Sequence, residues 1–132
     1  MFNTRCEAIR SVPRMANVIS ITLTTADPAK LAAFYQQATG YDVVYESPDS
    51  VYLAGADGLR LGFDRVEGFI PPAWSSAQLP ALRLDLAADE LQDAEARMLA
   101  LGATRPGHRL DTEGWIFLAD PEGHAFCLTT VY

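Results

Sequence analysis

Two cysteines and two histidines are all that this 132-residue chain contains. Cys6 and Cys127 are too few and too far apart for a disulfide framework, and free thiols fit a reducing compartment. There is no Cys-x-x-Cys pair, no phosphate-cradling glycine loop, no dinucleotide fingerprint and no Ser-His-Asp order. Those absences remove the commonest redox, nucleotide-binding and nucleophilic hydrolase chemistries. No apolar stretch has membrane-spanning length and no secretory signal pattern is present, so a cytoplasmic protein with no membrane partner is expected. Nor is there a basic run. The net charge of −7 argues against nucleic acid or an anionic membrane as the main partner.

What the chain does have is apolar residues, at 49%, enough for one compact domain or two half-size modules sharing a core. It also has an internal repeat, which decides the fold. Val51-Tyr-Leu-Ala-Gly-Ala-Asp-Gly-Leu-Arg-Leu-Gly-Phe63 aligns with Ile116-Phe-Leu-Ala-Asp-Pro-Glu-Gly-His-Ala-Phe-Cys-Leu128. Both read as a strand, a tight acidic-glycine turn and a second strand. Upstream of each lies a strand followed by a helix. Ile19 to Thr25 leads into a helix opened by Asp27-Pro28 and closed at Gly40. Leu82 to Ala87 leads into one opened near Asp89 and closed at Gly102. The order predicts an α+β fold of two β-α-β-β-β modules forming a curved mixed sheet around a cup, with helices on the outer face. The modules span about 16–66 and 81–132, joined by a connector at 67–80. Residues 1–15 read as an N-terminal tail, or alternatively as an arm that crosses to a partner subunit.

Alternation of period two separates two faces on each strand. Ile19, Ile21, Leu23, Leu59, Leu61, Phe63, Leu82, Leu84, Leu86, Phe126 and Leu128 must pack on the helices. The opposite face carries Ser20, Thr22, Thr24, Arg60, Gly62, Asp64, Arg83, Asp85, Cys127 and Thr129. Four strands polar on one face suggest a shared, solvated concavity. On the helices, Leu31, Phe34, Tyr35 and Ala38, then Leu91, Ala94, Met98 and Leu101, recur at helical spacing, and Asp93 with Arg97 makes an i,i+4 pair. Three prolines and a glycine break up the connector. Its Phe69, Ile70 and Trp74 either plug the core edge or roof the cavity or a subunit interface.

Leu118-Ala-Asp-Pro-Glu-Gly-His-Ala-Phe-Cys-Leu128 resembles the last hairpin of the vicinal oxygen chelate superfamily, which includes glyoxalase I, bleomycin-resistance proteins, fosfomycin-resistance enzymes and extradiol dioxygenases. Ser20-Ile-Thr-Leu-Thr-Thr-Ala-Asp27 and Arg83-Leu-Asp-Leu-Ala-Ala-Asp-Glu90 resemble its two module-opening strands. The connector's Pro71-Pro-Ala-Trp74, followed by Leu82-Arg-Leu-Asp-Leu86, is similar to the smaller glyoxalase-like subfamily. The resemblance spans residues 16 to 132. It implies a homodimer and a site made from the first and last strands of each module. Metal-using members take one ligand from each of those strands. Carried over, the positions fall at Ser20, Gly62, Arg83 and Cys127, with Asp64 or Asp85 two residues away. Serine is a poor ligand, glycine has no side chain, arginine repels a cation, and one thiolate does not hold zinc. No metal and no cofactor are therefore expected.

The expected ligand-binding residues are Arg83, Asp64, Asp85, Cys127, Ser20, Thr22 and Trp74. Arg83 is the leading candidate, because a guanidinium in a semi-polar cup needs a partner. That partner is either an internal carboxylate, Asp64 or Asp85, or an anionic or carbonyl-bearing ligand. Cys127 reads as a buried inert thiol, since no base is assured beside it. His124 reads as a surface or rim residue. His108 lies in a loop from which it could serve as a general base. Asp57 and Glu122 read as structural turn residues. Tyr45, Tyr52 and Trp115 could line the cup. The function expected is binding of a small metabolite or drug in a metal-free cup. The alternative is a metal-independent lyase or isomerase of the same superfamily.

Overall fold

The computed structural model describes residues 12–73, 80–107 and 111–132. The order is β1 (Ser20–Thr25), α1 (Pro28–Thr39), β2 (Asp42–Glu46), β3 (Ser50–Ala54) and β4 (Arg60–Arg65), then β5 (Leu84–Ala87), α2 (Leu91–Ala100), β6 (Trp115–Ala119) and β7 (Ala125–Thr129). The first half is β-α-β-β-β. Among its described residues the second has a bridge, Thr104 to Ala119, between α2 and β6, where a further strand is expected. The strands form two mixed sheets that do not close, ordered β1-β4-β3-β2 and β5-β7-β6. In each, the opening strand lies parallel to the closing strand, and the remaining pairs are antiparallel.

Local chemistry explains the first helix well. Asp27 caps it by accepting a 3.2 Å hydrogen bond from the Lys30 amide, and Pro28 occupies the first turn. Gly40 ends it in the left-handed region at φ 75°, where a Cβ would be strained. In α2, Glu90 rather than Asp89 holds the N-cap position, with no side-chain cap bond. Asp93 and Arg97 lie 3.7 Å apart, as their spacing predicts. Met98 is the buried residue of α2, while Leu91, Ala94 and Leu101 are half-buried at the core edge. A helix over a three-stranded sheet has less surface to cover.

Two inward assignments are corrected. Ile19 is 67% exposed and Leu82 62% exposed. Both stand ahead of the first residue of their strands, beyond the reach of the layer that would cover them.

The core joins the halves through α1. Tyr35 stacks on Phe63 of β4 at 5.5 Å and meets Phe126 of β7 edge-on at 6.3 Å. Phe34 also reaches Phe126, at 5.9 Å. Leu31, Leu53, Leu118 and Leu128 complete the fully buried centre.

A polar joint lies beside these rings. The Tyr35 hydroxyl donates to Asp120 Oδ2 at 2.7 Å. The amides of Glu122 and His124 donate to Asp120 Oδ1 at 2.9 and 3.0 Å. His124 is buried, not on the rim: Nδ1 lies 2.9 Å from Asp120 Oδ2, and Nε2 lies 2.8 Å from the Thr24 carbonyl of β1. Both ring nitrogens thus face acceptors, which suits an imidazolium. Burial opposes that charge, but the hydrogen bond and charge of Asp120 outweigh it, with help from Thr24, and raise the His124 pKa. Burial, then the same carboxylate, holds the Tyr35 phenol well above its usual range. Glu122 reinforces the joint by accepting from the Thr25 hydroxyl and the Ala26 amide.

Asp120→Ala should cost about 3 kcal/mol or more in a denaturant titration, because it strands a buried imidazolium and a phenol. His124 has a folded pKa above its unfolded value of about 6.5, so its ionic contribution is complete below about 6.5 and is lost as pH rises through the raised value. The stability gap between the natural chain and His124→Gln should therefore narrow with rising pH. A gap that widens would contradict the imidazolium assignment.

Candidate functional site

Three of the expected residues come together on one face of the second sheet, the face opposite the one that Leu84, Leu86 and Leu128 turn to the helices. Strand register sets Asp85 opposite Cys127, and Cys127 opposite Phe117, in one row across β5, β7 and β6. Arg83 stands just before β5 and two residues from Asp85, so the two side chains share a face. Arg83 Nε donates to Asp85 Oδ1 at 2.7 Å. The guanidinium carbon lies 5.2 Å from the Phe117 ring centroid and 5.7 Å from that of Trp115, within cation–π range. The aromatic pair and the carboxylate together hold the arginine in one pose. Arg83 and Asp85 both also reach the Cys127 thiol beneath them.

Cys127 is fully buried. Burial pushes its thiol pKa up to about 12. Arg83 opposes that shift, and the carboxylates of Asp85 and Asp111 add to it. The thiol is therefore neutral at any physiological pH and is no nucleophile. Asp111 also accepts a 2.8 Å hydrogen bond from the Phe117 amide, which pins the aromatic row.

The first sheet repeats the row with different chemistry. Thr22, Gly62 and Tyr52 lie in register across β1, β4 and β3. A Cβ on Gly62 would stand 2.5 Å from the Tyr52 ring and 2.8 Å from the Thr22 hydroxyl. The phenol ring thus fills the space in which a side chain from β4 would project. Tyr45 meets Tyr52 edge-on at 6.2 Å. Asp64 does not pair with Arg83; it accepts from the Ser50 hydroxyl at 2.7 Å. Ser20 is half-buried opposite Arg60. Trp74 and His108 lie outside the described residues.

Two cavities flank β5. One, of ≈ 870 Å³, opens on the helix side between the end of α1 and α2, with Asp85 to Ala88 along one wall. The other, of ≈ 400 Å³, has Arg83 on its wall and is otherwise mostly apolar, with Leu23, Pro72, Leu82 and Leu84 among its lining and His124 at one side.

The positions at which the resemblance implies metal ligands are Ser20, Gly62, Arg83 and Cys127. The residues present do not fit a metal ion: one hydroxyl, no side chain, one permanent cation and one neutral buried thiol. Among the described residues, no three of His, Cys, Asp and Glu are arranged to hold a cation. Sequence reasoning missed Phe117, Asp111 and Asp120. Phe117 was legible, because the repeat sets it against Tyr52. Asp111 was not, because it lies in a loop that the repeat does not cover.

Two halves of this order, each with its opening strand parallel to its closing strand, define the vicinal oxygen chelate class of fold. Residues 20–129 match the family model of the glyoxalase-like domain, and the chain belongs to that family. Solved structures agree on the fold. A glyoxalase/bleomycin resistance protein/dioxygenase family enzyme from Burkholderia phytofirmans is 20% identical with a TM-score of 0.69, over 89% of this chain and 100% of that one. The fosfomycin resistance protein FosX from Listeria monocytogenes, solved with Mn(II) and dihydroxypropylphosphonic acid, is 20% identical with a TM-score of 0.68, over 90% and 95% of the two chains. The oxidase ChaP-H2 is 16% identical with a TM-score of 0.64, over 90% and 96%. Among curated proteins, no sequence matches this one.

In a Cys6→Ser background, native Cys127 should react with a thiol reagent at pH 8 about a thousandfold more slowly than the unfolded chain. Fast labelling of the native protein would refute the buried neutral thiol. Elemental analysis of the purified protein should find no stoichiometric divalent metal.

Proposed function

We propose that this chain binds a small molecule at Arg83 without a metal ion, sequestering or sensing a metabolite or drug. The observation that carries the reading is the posture of Arg83. An arginine held on two aromatic rings and paired with Asp85 through Nε remains 39% exposed, so a ligand can reach it. Its position also matches one of the places where metal-using relatives put a ligand. The adjoining cavity of ≈ 400 Å³ lies within the range of small-ligand sites and offers an apolar wall. In this reading Arg83 orients the polar head of the ligand, Asp85 fixes the arginine, and the cavity takes the apolar body. Thr22, Ser20 and Asp64 on the first sheet, with Trp74 of the connector, complete the set of proposed contacts.

The arginine does little for the scaffold. Its ion pair with Asp85 is exposed by 39% and 41% on the two side chains, so solvent screens it. That argues for a role outside stability. The alternative, a metal-independent lyase or isomerase, would need a base beside the bound molecule, and Asp85 is the candidate. We further propose a cytoplasmic homodimer. In support, the edge strand β2 leaves Val43, Val44 and Tyr45 exposed, an apolar edge that proteins ordinarily cover.

Arg83→Met should change stability by no more than about 1 kcal/mol, as for other exposed pairs. It should weaken ligand binding by about 2 kcal/mol or more, as for loss of a desolvated charge contact. Thermal melts measure the first. Native mass spectrometry of protein purified from its own host measures the second: a retained small molecule should be present on the natural chain and absent from the variant. A large loss of stability with no change in retained ligand would make Arg83 a scaffold residue.

A further inference from the structure

Two segments of this chain are apolar and uncovered, and they stand at opposite edges of one sheet. β2 ends the first sheet on one side, and all five of its residues are exposed, Val43, Val44 and Tyr45 among them. It pairs with β3, and among the described residues no strand lies on its other edge. β1 ends the same sheet on the opposite side, and residues 12–19 run into it. Every residue of that arm is exposed, including Val12, Val18, Ile19 and, at 99%, Met15. An arm so exposed does not lie on its own domain. Resting on the homodimer just proposed, we infer that the arm of each subunit docks along β2 of a second copy as an added antiparallel strand, with Arg14 beside Glu46.

Charge and pattern both favour this occupant. β2 carries Asp42 and Glu46 at its two ends, around an apolar middle. The arm carries Arg14 and no acidic residue. No ion pair among the described residues involves Arg14, Asp42 or Glu46. In an antiparallel register that sets Arg14 against Glu46, Met15 falls against Tyr45, a thioether against a ring. Val12 to Val18 take part in no backbone hydrogen bond among the described residues, so their amides and carbonyls can pair with the open edge. Pro13 has no amide hydrogen. It would stand just outside the paired stretch, where it hinders the addition of a further chain. Each copy has one arm and one β2, so the exchange is reciprocal and a two-fold axis closes it at two subunits.

Cross-linking of the full chain tests this. In a Cys6→Ser background, Met15→Cys and Tyr45→Cys chains carrying different tags are co-expressed and treated with a short bis-maleimide. Cys127, buried and neutral, does not compete. The product joining the two tags should exceed either same-tag product about tenfold, because only unlike cysteines are held close together. Arg14→Glu and Glu46→Arg should each raise the dimer dissociation constant about tenfold by setting like charges together, and the two in one chain should restore it. Light scattering after size exclusion reads the subunit number, and thermal melts confirm that these surface variants fold. A dimer with no arm-to-β2 product and no response to either charge reversal would overturn the arm exchange and leave the homodimer standing. With both cysteines in one chain, a bridge closed within that chain would overturn it as well, because the arm would then lie on its own sheet. A monomer at micromolar concentration would overturn both this inference and the homodimer on which it rests.

Discussion

Asp120 has a carboxylate with no solvent contact, and three elements meet on it. Tyr35 reaches it from α1, His124 from the start of the last hairpin strand, and the turn's own amides from below. Through His124 the joint extends to the Thr24 carbonyl at the end of β1. A buried carboxylate is tolerable only when charge and hydrogen bonds both answer it. Here five polar contacts do so, and they come from both halves of the chain. The aromatic stack of Tyr35 on Phe63 and Phe126 lies directly beside it. Breaking the joint would therefore loosen apolar packing as well as lose an ion pair.

The site depends on that joint at one remove. β7 starts at Ala125, immediately after His124. Its register against β5 and β6 sets Cys127 between Asp85 and Phe117. Fixing the turn thus fixes the row on which Arg83 rests. The first sheet has the same row by repeat, but Gly62 and Tyr52 occupy it. Equivalent positions in the two halves have diverged, one into an aromatic plug and the other into a charged cluster over a buried thiol. The fold supplies two equivalent rows, and the residue types give each its own chemistry.

The local signals in the sequence were strong where backbone chemistry dominates. Asp27, Pro28 and Gly40 marked the first helix because capping, a fixed φ and a left-handed terminus are properties of single residues. Alternation marked the strand faces because a pleated strand has a period of two. Alternation misleads at strand ends. Ile19 and Leu82 continue the alternation but stand outside the paired strands, where nothing covers them. In the second module the described residues hold a bridge of one residue pair where the repeat predicts a strand, and a pairing that short leaves no periodic trace.

His124 shows where sequence reasoning stops. Its place after a turn glycine predicts a rim residue. Its burial depends on Asp120 four residues earlier and on Thr24 a hundred residues away, and only the second contact closes the pocket. Arg83 is a similar case. The sequence by itself determined that an arginine falls at a position the resemblance singles out, and that Asp64 or Asp85 was the available partner. Tertiary structure decided for Asp85, because Asp64 lies on the other sheet and is bound to Ser50. Residue types and their periods are properties of one chain segment. Which carboxylate meets which cation is a property of how two sheets are placed, and that placement follows from long-range packing.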